Sequence, residues 1–358
     1  MTSFAEIRHK FISMKWLLSL LLIVIFAGCS NDSSPDVSGI KIELDIVRFE
    51  HDLFALDTTD ITSAITGLNK KHPAFGPFFT EQILGIPNDD SSEMARQAFL
   101  RFLSDYRGIH DLSSKRFGDM SEISGEIIGS MQHIHHYFPA YQLPKRLYTF
   151  IGPLDAYAEG KTGGYGDIIT PEGLGTGLQL HLGADEPIYH TREGLQLYPA
   201  YVSRRFTPEM IAVNCTKNMI DDLFAGMPGD RTLLDIMIDK GKRMYLLDLF
   251  MPETPDSLKL GYTAEQLDGA EENEALIWNF FLQNELLYVS DPMRIRDFIG
   301  DGPKTMELGD GSPGHIALFT GRQIIRTYMK KHPDTRPDAL LKLGAKQLLE
   351  ASGYRPRA

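Results

Sequence analysis

The alternation of apolar and polar positions along the chain predicts three short strands. In residues 40–49 apolar side chains alternate with charged ones, which is the two-residue period of a half-buried strand. Residues 146–151 and the alternating run 178–182, which Gly183 closes, predict two more strands. The glycine-rich stretch 160–177 predicts a long loop. We therefore expect one small sheet.

Most of the remaining chain carries apolar residues at helical spacing. Ser92 is expected to cap one helix, and Ser312 followed by Pro313 to open another, because serine at the N-cap and proline in the first turn are helix start signals. The expected fold class is α+β, a helix-dominated single domain with a small sheet. The pattern predicts helices over residues 60–68, 75–84, 91–105, 117–137, 208–224, 233–250, 271–288, 312–331 and 338–351.

The N-terminal segment has the pattern of an export signal. An apolar run of about ten residues ends in Ala27, Gly28 and Cys29. This run is too short to span a bilayer, which takes about 20 residues in a helix, but it suits the central part of a secretory signal peptide. The Ala-Gly-Cys ending resembles a bacterial lipobox, although Phe26 stands where leucine is most usual. The resemblance implies lipid on the Cys29 thiol and cleavage before it.

These features predict three regions along the chain. Residues 1–28 are expected to be a signal peptide, with Met14 as an alternative start. Residues 29–39 are polar, small and turn-rich, so we expect a lipidated N-terminus followed by a flexible tether. Residues 40–358 contain no linker-like break, so they are expected to form one domain.

The charge of the chain limits its partners. The whole sequence has a formal charge of −12, and without residues 1–28 it has 33 basic and 47 acidic residues, a charge of −14. Nucleic acids and anionic lipid headgroups repel such a chain. Membrane attachment is therefore expected to depend on the lipid at Cys29. Cys215 is the only other cysteine, so the fold must be stabilised by its core and not by an internal disulfide.

Histidines cluster near the end of a predicted helix, at His133, His135 and His136. A metal-binding helix favours two histidines at i and i+4, with a carboxylate or cysteine to complete the site. His133 and His136 are three positions apart and have no such residue beside them. We interpret them as surface histidines at a helix C-terminus, where cations are favourable. No metal or other cofactor is expected.

Three other features fall short of catalytic motifs. Residues 160–166 are rich in glycine, but Lys161 and Thr162 precede most of the glycines, whereas a nucleotide-binding loop needs them afterwards. No G-x-S-x-G motif surrounds a serine. Cys215 lies among apolar residues of a predicted helix and is expected to be a core residue. No catalytic residue is predicted.

Short motifs in a fixed order, densest between residues 178 and 356, resemble the gliding motility lipoprotein GldB family of Bacteroidetes. The Ala-Gly-Cys at Cys29 fits the same family. This resemblance implies a role in gliding motility and in the connected type IX protein secretion. The motifs are Val47-Arg48-Phe49-Glu50, Leu182-Gly183-Ala184-Asp185 with Tyr189, Gly241-Lys242-Arg243-Met244-Tyr245, Gly261-Tyr262-Thr263 with Asn273-Glu274 and Ile277-Trp278, Ser312-Pro313-Gly314 with Gly321-Arg322-Gln323-Ile324, and Ser352-Gly353-Tyr354-Arg355-Pro356.

The family is also distantly similar to a group of zinc proteases that carry H-E-x-x-H on a helix. The corresponding stretch here is Asn214-Cys215-Thr216-Lys217-Asn218, where asparagine replaces both histidines and cysteine replaces the glutamate. A later ligand would fall near Asp239-Lys240-Gly241, where Lys240 would repel a metal. The resemblance implies a degenerate zincin-like metalloprotease fold, in which residues 178–182 form an edge strand that holds peptide by β-addition.

The leading interpretation is a non-catalytic envelope lipoprotein. It would support gliding motility or type IX secretion through contacts with protein components of that machinery. Its membrane contact would be the lipid on Cys29, and the single early acid Asp32, without an acidic cluster, favours the periplasmic face. Two alternatives stay open. One is an envelope hydrolase of zinc-protease type with an unidentified site, and the other is a periplasmic lipoprotein that binds a small ligand beside residues 160–177.

Overall fold

The computed structural model describes residues 34–89, 92–155, 166–170, 172–226 and 231–357. Contacts divide the chain into residues 1–36 and residues 37–358, and the fold below is that of the second unit. Cys29 and the predicted signal peptide lie outside the described residues.

The sheet has four strands in the order β1-β2-β4-β3. β1 and β4 both run parallel to β2, whereas β3 pairs antiparallel with β4 at one edge. The predictions of strands within residues 40–49 and 146–151 are confirmed. The strands are β1 (Asp45–Arg48), β2 (Arg146–Phe150), β3 (Asp167–Thr170) and β4 (Gly173–Gly177).

The third predicted strand is wrong, and two strands lie where a loop was expected. Residues Leu178–Leu180 form a 3-10 helix, and the side chains of residues 178–182 are buried, so no edge strand runs there. β3 and β4 come instead from the glycine-rich stretch. A side chain on Gly173 would overlap the Arg146 carbonyl, and one on Gly175 would lie 2.9 Å from Ile168 Cγ1. These glycines allow close strand approach, which is a second use of glycine besides turns.

Helices make up most of the rest of the described chain. In chain order they are α1 (Phe49–Phe54), α2 (Ile61–Lys71), α3 (Phe75–Phe78), α4 (Glu93–Asp105), α5 (Arg107–Arg116), α6 (Ser121–Tyr137), α7 (Pro187–His190), α8 (Arg192–Leu197), α9 (Ala200–Ser203), α10 (Glu209–Leu223), α11 (Leu233–Phe250), α12 (Asp256–Leu260), α13 (Ala264–Glu272), α14 (Glu274–Gln283), α15 (Pro292–Ile299), α16 (Ile316–Lys331), α17 (Pro337–Leu340) and α18 (Ala345–Ser352). The helix-dominated α+β fold class is confirmed.

Several helix predictions agree closely with the structure, and others need correction. Ser92 caps α4 by accepting a hydrogen bond from the Ala95 amide, and α11 has the bounds predicted for it. The predicted helix 271–288 is too long, because α13 ends at Glu272 and α14 covers only ten residues. The predicted helix 338–351 is divided into α17 and α18. No helix in the described part of the chain is long and apolar enough to cross a membrane.

Ser312 does not cap a helix. Its hydroxyl donates to the Thr305 carbonyl at 2.8 Å and accepts from the Thr305 amide at 3.1 Å, so it closes a loop. α16 begins later, directly after His315, which has φ 55° and is 7% exposed. A non-glycine residue is uncommon in this left-handed region and persists only where its surroundings hold it.

Helices α11 and α16 form the centre of the helical part. They approach at Gly241 and Gly321, where a Cβ on Gly321 would overlap the Met237 carbonyl. Asp248 of α11 also accepts hydrogen bonds from the buried Arg322 and from Arg326, each at 3.0 Å from Nε. α10 packs against α11 on one side and against β3 and β4 on the other. It therefore lies between the helical core and the edge of the sheet.

Candidate functional site

Helix α10 is mostly buried, and several of its polar residues share one face. Asn214, Lys217, Asn218 and Asp221 are spaced at i, i+3, i+4 and i+7, which places them on one side of an α-helix. Asn214 and Lys217 are each 4% exposed. Buried polar groups are costly unless they find partners, so this polar face of α10 must be explained by what surrounds it.

The sheet-proximal end of the polar face meets a buried acid. Asp167, on edge strand β3, accepts a hydrogen bond from Asn214 Nδ2 at 2.8 Å and lies 2.9 Å from His181 Nε2. Thr176 Oγ1 donates to the other oxygen of the same carboxyl group. His181 Nδ1 lies 3.1 Å from the Thr207 carbonyl oxygen, which can only accept a hydrogen bond, so Nδ1 carries a proton. The hydrogen bond between Nε2 and the Asp167 carboxyl group then requires a second proton, on one of these two groups.

This arrangement fastens α10 to the sheet. Asp167, Thr176 and His181 are each at most 2% exposed, so the network has no open side toward solvent. The carboxyl group accepts hydrogen bonds from two different elements besides its contact with His181. Both oxygens of the Asp167 carboxyl group have partners, whereas Asn214 Oδ1 is buried without one. A buried network of this kind specifies one packing arrangement. We interpret it as a structural network.

Cys215 is fully buried, as the core interpretation expected. Burial, with a smaller contribution from the negative charge of Asp167, raises the pKa of its thiol well above the usual value. A catalytic cysteine needs the opposite, because the thiolate is the nucleophile. The geometry therefore gives Cys215 a packing role.

The middle of the polar face has different surroundings. Burial, followed by the positive charge of Arg205, lowers the pKa of Lys217 to about 7, while Asp221 and Asp301 act in the opposite direction. The positive charge of Lys240 on α11 also lowers the pKa of Lys217. Arg205 is ion-paired with Asp301. Cationic groups from three parts of the chain therefore converge on this part of α10.

His315 belongs to the same cluster. It is the residue before α16, and its pKa is lowered to about 3 by burial and by the positive charges of Lys240, Arg205 and Lys217, with Asp301 acting against them. Its imidazole is therefore neutral at physiological pH. It contributes a polar ring but no charge to the cluster.

At the C-terminal end of the polar face, around Asp221, the carboxylates are paired with arginine side chains. Arg243 of α11 is 2% exposed in its side chain, pairs with Asp221 and donates from Nε to Asp239 Oδ2 at 3.2 Å. Arg231 lies 3.5 Å from the same Asp239 oxygen. The two carboxylates at this end are thus engaged by guanidinium groups, and Asp239 is not poised as a metal ligand.

The other sequence candidates are scattered. His133, His135 and His136 lie in the last turns of α6, where His133 Nδ1 is 3.0 Å from the Gly129 carbonyl. Within the described residues no group of three His, Cys, Asp or Glu side chains could hold a metal ion. Of residues 160–166 only Gly166 is described. The structure does not bring these candidates together into one site.

Two features of the site were not recognised in the sequence. Asp167 lies in the stretch interpreted as a loop, so its contact with Asn214 could not be anticipated. The cluster around Lys217 did leave a signal, because a polar i, i+3, i+4, i+7 stripe interrupts an otherwise apolar helix. Interpreting residues 214–218 only as a replaced zinc motif concealed that stripe.

Motifs that are distant in the sequence meet in the fold. Glu274 of α14 accepts hydrogen bonds from the Tyr354 hydroxyl at 2.7 Å and from Gln323 Nε2 at 3.2 Å. Trp278 packs edge-to-face on Tyr354, with ring centroids 5.0 Å apart. Three of the sequence motifs, from different parts of the C-terminal half, therefore form one packing unit. The fixed order of these motifs reflects one tertiary structure.

Comparison with known proteins agrees with this order. No curated protein and no solved structure matches the chain. The family model described as gliding motility protein GldB matches residues 30–356, which is nearly the whole chain after Cys29. The protein belongs to the GldB family of gliding motility lipoproteins.

Proposed function

We propose that this GldB-family lipoprotein acts without catalysis, as a lipid-anchored envelope protein that supports gliding motility or type IX secretion through protein contacts. Its anchor is the lipid on Cys29, and its folded part faces the periplasm. The observation that carries the proposal is the composition of the polar face of α10. At the position of a zinc-binding helix, asparagine stands in place of both histidines, cysteine stands in place of the glutamate, and Lys217 lies between them.

The placement of α10 supports descent from a zincin-like fold. α10 lies against β3, the antiparallel edge strand of an otherwise parallel sheet. Asn214 hydrogen-bonds directly to Asp167 on that strand. A substrate-binding edge in such a fold would be β3 and its neighbourhood, and not residues 178–182.

The charges around α10 argue against zinc chemistry. A catalytic zinc site needs three protein ligands such as histidine and carboxylate, with an open position for water. Lys217 and Lys240 place two cations next to the position that a metal would take. Asp239, the nearest acidic residue in the later segment, is engaged by Arg243 and Arg231. These contacts favour a binding or scaffolding role over hydrolysis.

A complementation experiment tests the proposal. A deletion strain of the source bacterium receives the wild-type gene, a Cys29→Ser gene or a Cys215→Ala gene, and colony spreading and type IX secretion are measured. We expect the wild-type and Cys215→Ala genes to restore what the deletion loses, and Cys29→Ser to fail. A deletion that changes neither process would contradict the proposed role.

Biochemistry of the purified lipoprotein tests the non-catalytic part separately. Metal analysis and a peptidase assay with a mixed peptide library are made on wild-type protein in detergent. Stoichiometric zinc together with peptide cleavage would favour the hydrolase alternative. Loss of function in Cys215→Ala at an unchanged protein level would instead indicate a thiol enzyme.

A further inference from the structure

The Lys217 side chain is buried, and its ammonium has no acceptor among the described residues. The residue is 4% exposed, and no hydrogen bond or ion pair joins its side chain to any other residue that the structure describes. The next residue on the polar face, Asn218, has an amide nitrogen Nδ2 that is also buried and lacks a hydrogen-bond partner. Two adjacent donors of the polar face of α10 therefore have no acceptor.

The carboxylates near Lys217 have other partners. The groups whose charges act on Lys217 are Arg205, Lys240, Asp221 and Asp301, and they come from several elements packed around it. Asp301 is paired with Arg205, and Asp221 with Arg243. Neither acid comes within ion-pairing distance of Lys217. Lys217 is therefore left without an anionic partner among the residues that the structure describes.

The start of α16 adds to the positive field. His315 immediately precedes this helix of 16 residues and is close enough to Lys217 for the lysine charge to lower the pKa of the imidazole. The first amide groups of a helix carry partial positive charge and bind anions readily. His315 is neutral, and its left-handed backbone conformation sets the direction in which α16 begins. It adds no carboxylate that would repel an anion at the start of the helix.

A buried ammonium without a partner is unfavourable, because burial removes its hydration and nothing replaces it. A bound anion would supply what the ammonium lacks, because it accepts hydrogen bonds and balances the positive charge. We propose that Lys217, Asn218 and the start of α16 bind a compact oxyanion, which is the phosphate or carboxylate group of a small molecule. This inference does not depend on the proposed role in motility or secretion.

Calorimetry on the full lipoprotein in detergent micelles tests the inference. Inorganic phosphate and sodium acetate are titrated separately at pH 8 and constant ionic strength, in two buffers of different ionisation enthalpy. We expect one site, with uptake of protons on binding, because the lowered pKa of Lys217 leaves part of the ammonium neutral at pH 8 and an anion favours its charged form. Binding of phosphate alone identifies a phosphate site, and binding of acetate as well identifies a carboxylate site.

Variants assign the binding to this cluster. Lys217→Met should weaken binding about tenfold or more and abolish proton uptake, since it removes the charged donor. Asn218→Asp places a carboxylate beside the ammonium and should exclude the added anion while Lys217 is kept. Lys346→Met removes an equivalent charge from the surface, where the side chain is 74% exposed, and should bind as the wild type does. No heat with either anion, or equal binding by wild type and Lys217→Met, would overturn the proposal.

Discussion

Gly241 of α11 and Gly321 of α16 lie in direct contact, so that a Cβ on either residue would overlap the backbone of the opposite helix. Ordinary helix pairs keep their axes 8–10 Å apart because side chains separate them. Here both contact positions lack a side chain, and the backbones approach directly. The same two residues belong to the motifs that resemble the GldB family.

This contact predicts a severe effect of a single methyl group. Gly321→Ala should destabilise the fold by about 3 kcal/mol or more, because α16 cannot move away without breaking its other buried contacts. Gly125→Ala in α6 is the matched control, since no atom lies within 4 Å of its added Cβ. The control should be neutral or stabilising by about 0.5–1 kcal/mol. Urea unfolding of both variants measures the difference, and equal midpoints would contradict the close contact.

The buried Lys217 predicts a pH-dependent stability. Its pKa is about 7 in the folded protein and 10.5 when unperturbed, so the unfolded chain binds more protons between these values. The free energy of unfolding therefore rises with pH across that window, and the full cost of burying the charged lysine is present below pH 7. Lys217→Met should unfold at a higher temperature than wild type at pH 6, by a free energy on the order of 4 kcal/mol.

The advantage of Lys217→Met should shrink as the pH rises toward 10, because the folded wild-type lysine is then neutral and the pH approaches the unperturbed pKa of 10.5. Lys242 has a pKa lowered to about 8 by burial and is present in both proteins, so only the difference between the two melting curves is informative. Thermal melts in anion-free buffers from pH 6 to pH 10 supply that difference. A constant difference across this range would show that Lys217 is not the titrating group.

The ion pairs between α11 and α16 predict a large cost when one partner is removed. Asp248→Ala removes the bidentate acceptor of the Arg322 guanidinium, which is 1% exposed, and leaves it paired with Asp256 alone. Breaking a buried pair in this way costs about 3–5 kcal/mol. Asp338→Ala, which removes the exposed partner of Arg336, should leave the melting temperature unchanged. Calorimetric melting of both variants at pH 7 makes the comparison.

Cys29 predicts how the protein is held at the membrane. Because residues 29–358 carry a formal charge of −14, they have no net attraction for anionic headgroups. Cys29→Ser should release the protein in soluble form or leave its precursor uncleaved. Fractionation of envelopes, with the mass of the N-terminal peptide, measures both outcomes. A processed and stably bound Cys29→Ser protein would refute the lipid anchor.

The sequence predicts elements well where one local signal dominates. α11 has its predicted bounds because apolar residues continue from Leu233 to Phe250 and a proline follows. Strands β3 and β4 could not be predicted, because their glycines serve the close approach of neighbouring strands, which is a tertiary property. Ser312 was misassigned for a similar reason, since its hydroxyl bonds to Thr305 across a loop and not to the turn that follows.

The candidate site is less predictable than the fold. The composition of residues 214–218 is enough to argue against zinc from the sequence, whereas the effect of the Lys240 charge on Lys217 is visible only in the structure. The hydrogen bond between Asn214 and Asp167 joins residues that are 47 positions apart and lie in different elements. His315 enters the cluster only because its backbone turns into the left-handed region. Neither relationship has a local pattern.

The central helix pair joins parts of the chain that are far apart in the sequence. Gly321 follows Gly241 by 80 residues, so the residues of α11 that pack against α16 lack this partner until α16 is present. A chain that crosses the membrane from its N-terminus would present Cys29 for lipidation while most of the core is still inside the translocation channel. The lipid would then be attached to an unfolded chain, and folding would be completed on the membrane surface. A chaperone that shields α11 during this interval would therefore affect the yield more than one that acts on the finished protein.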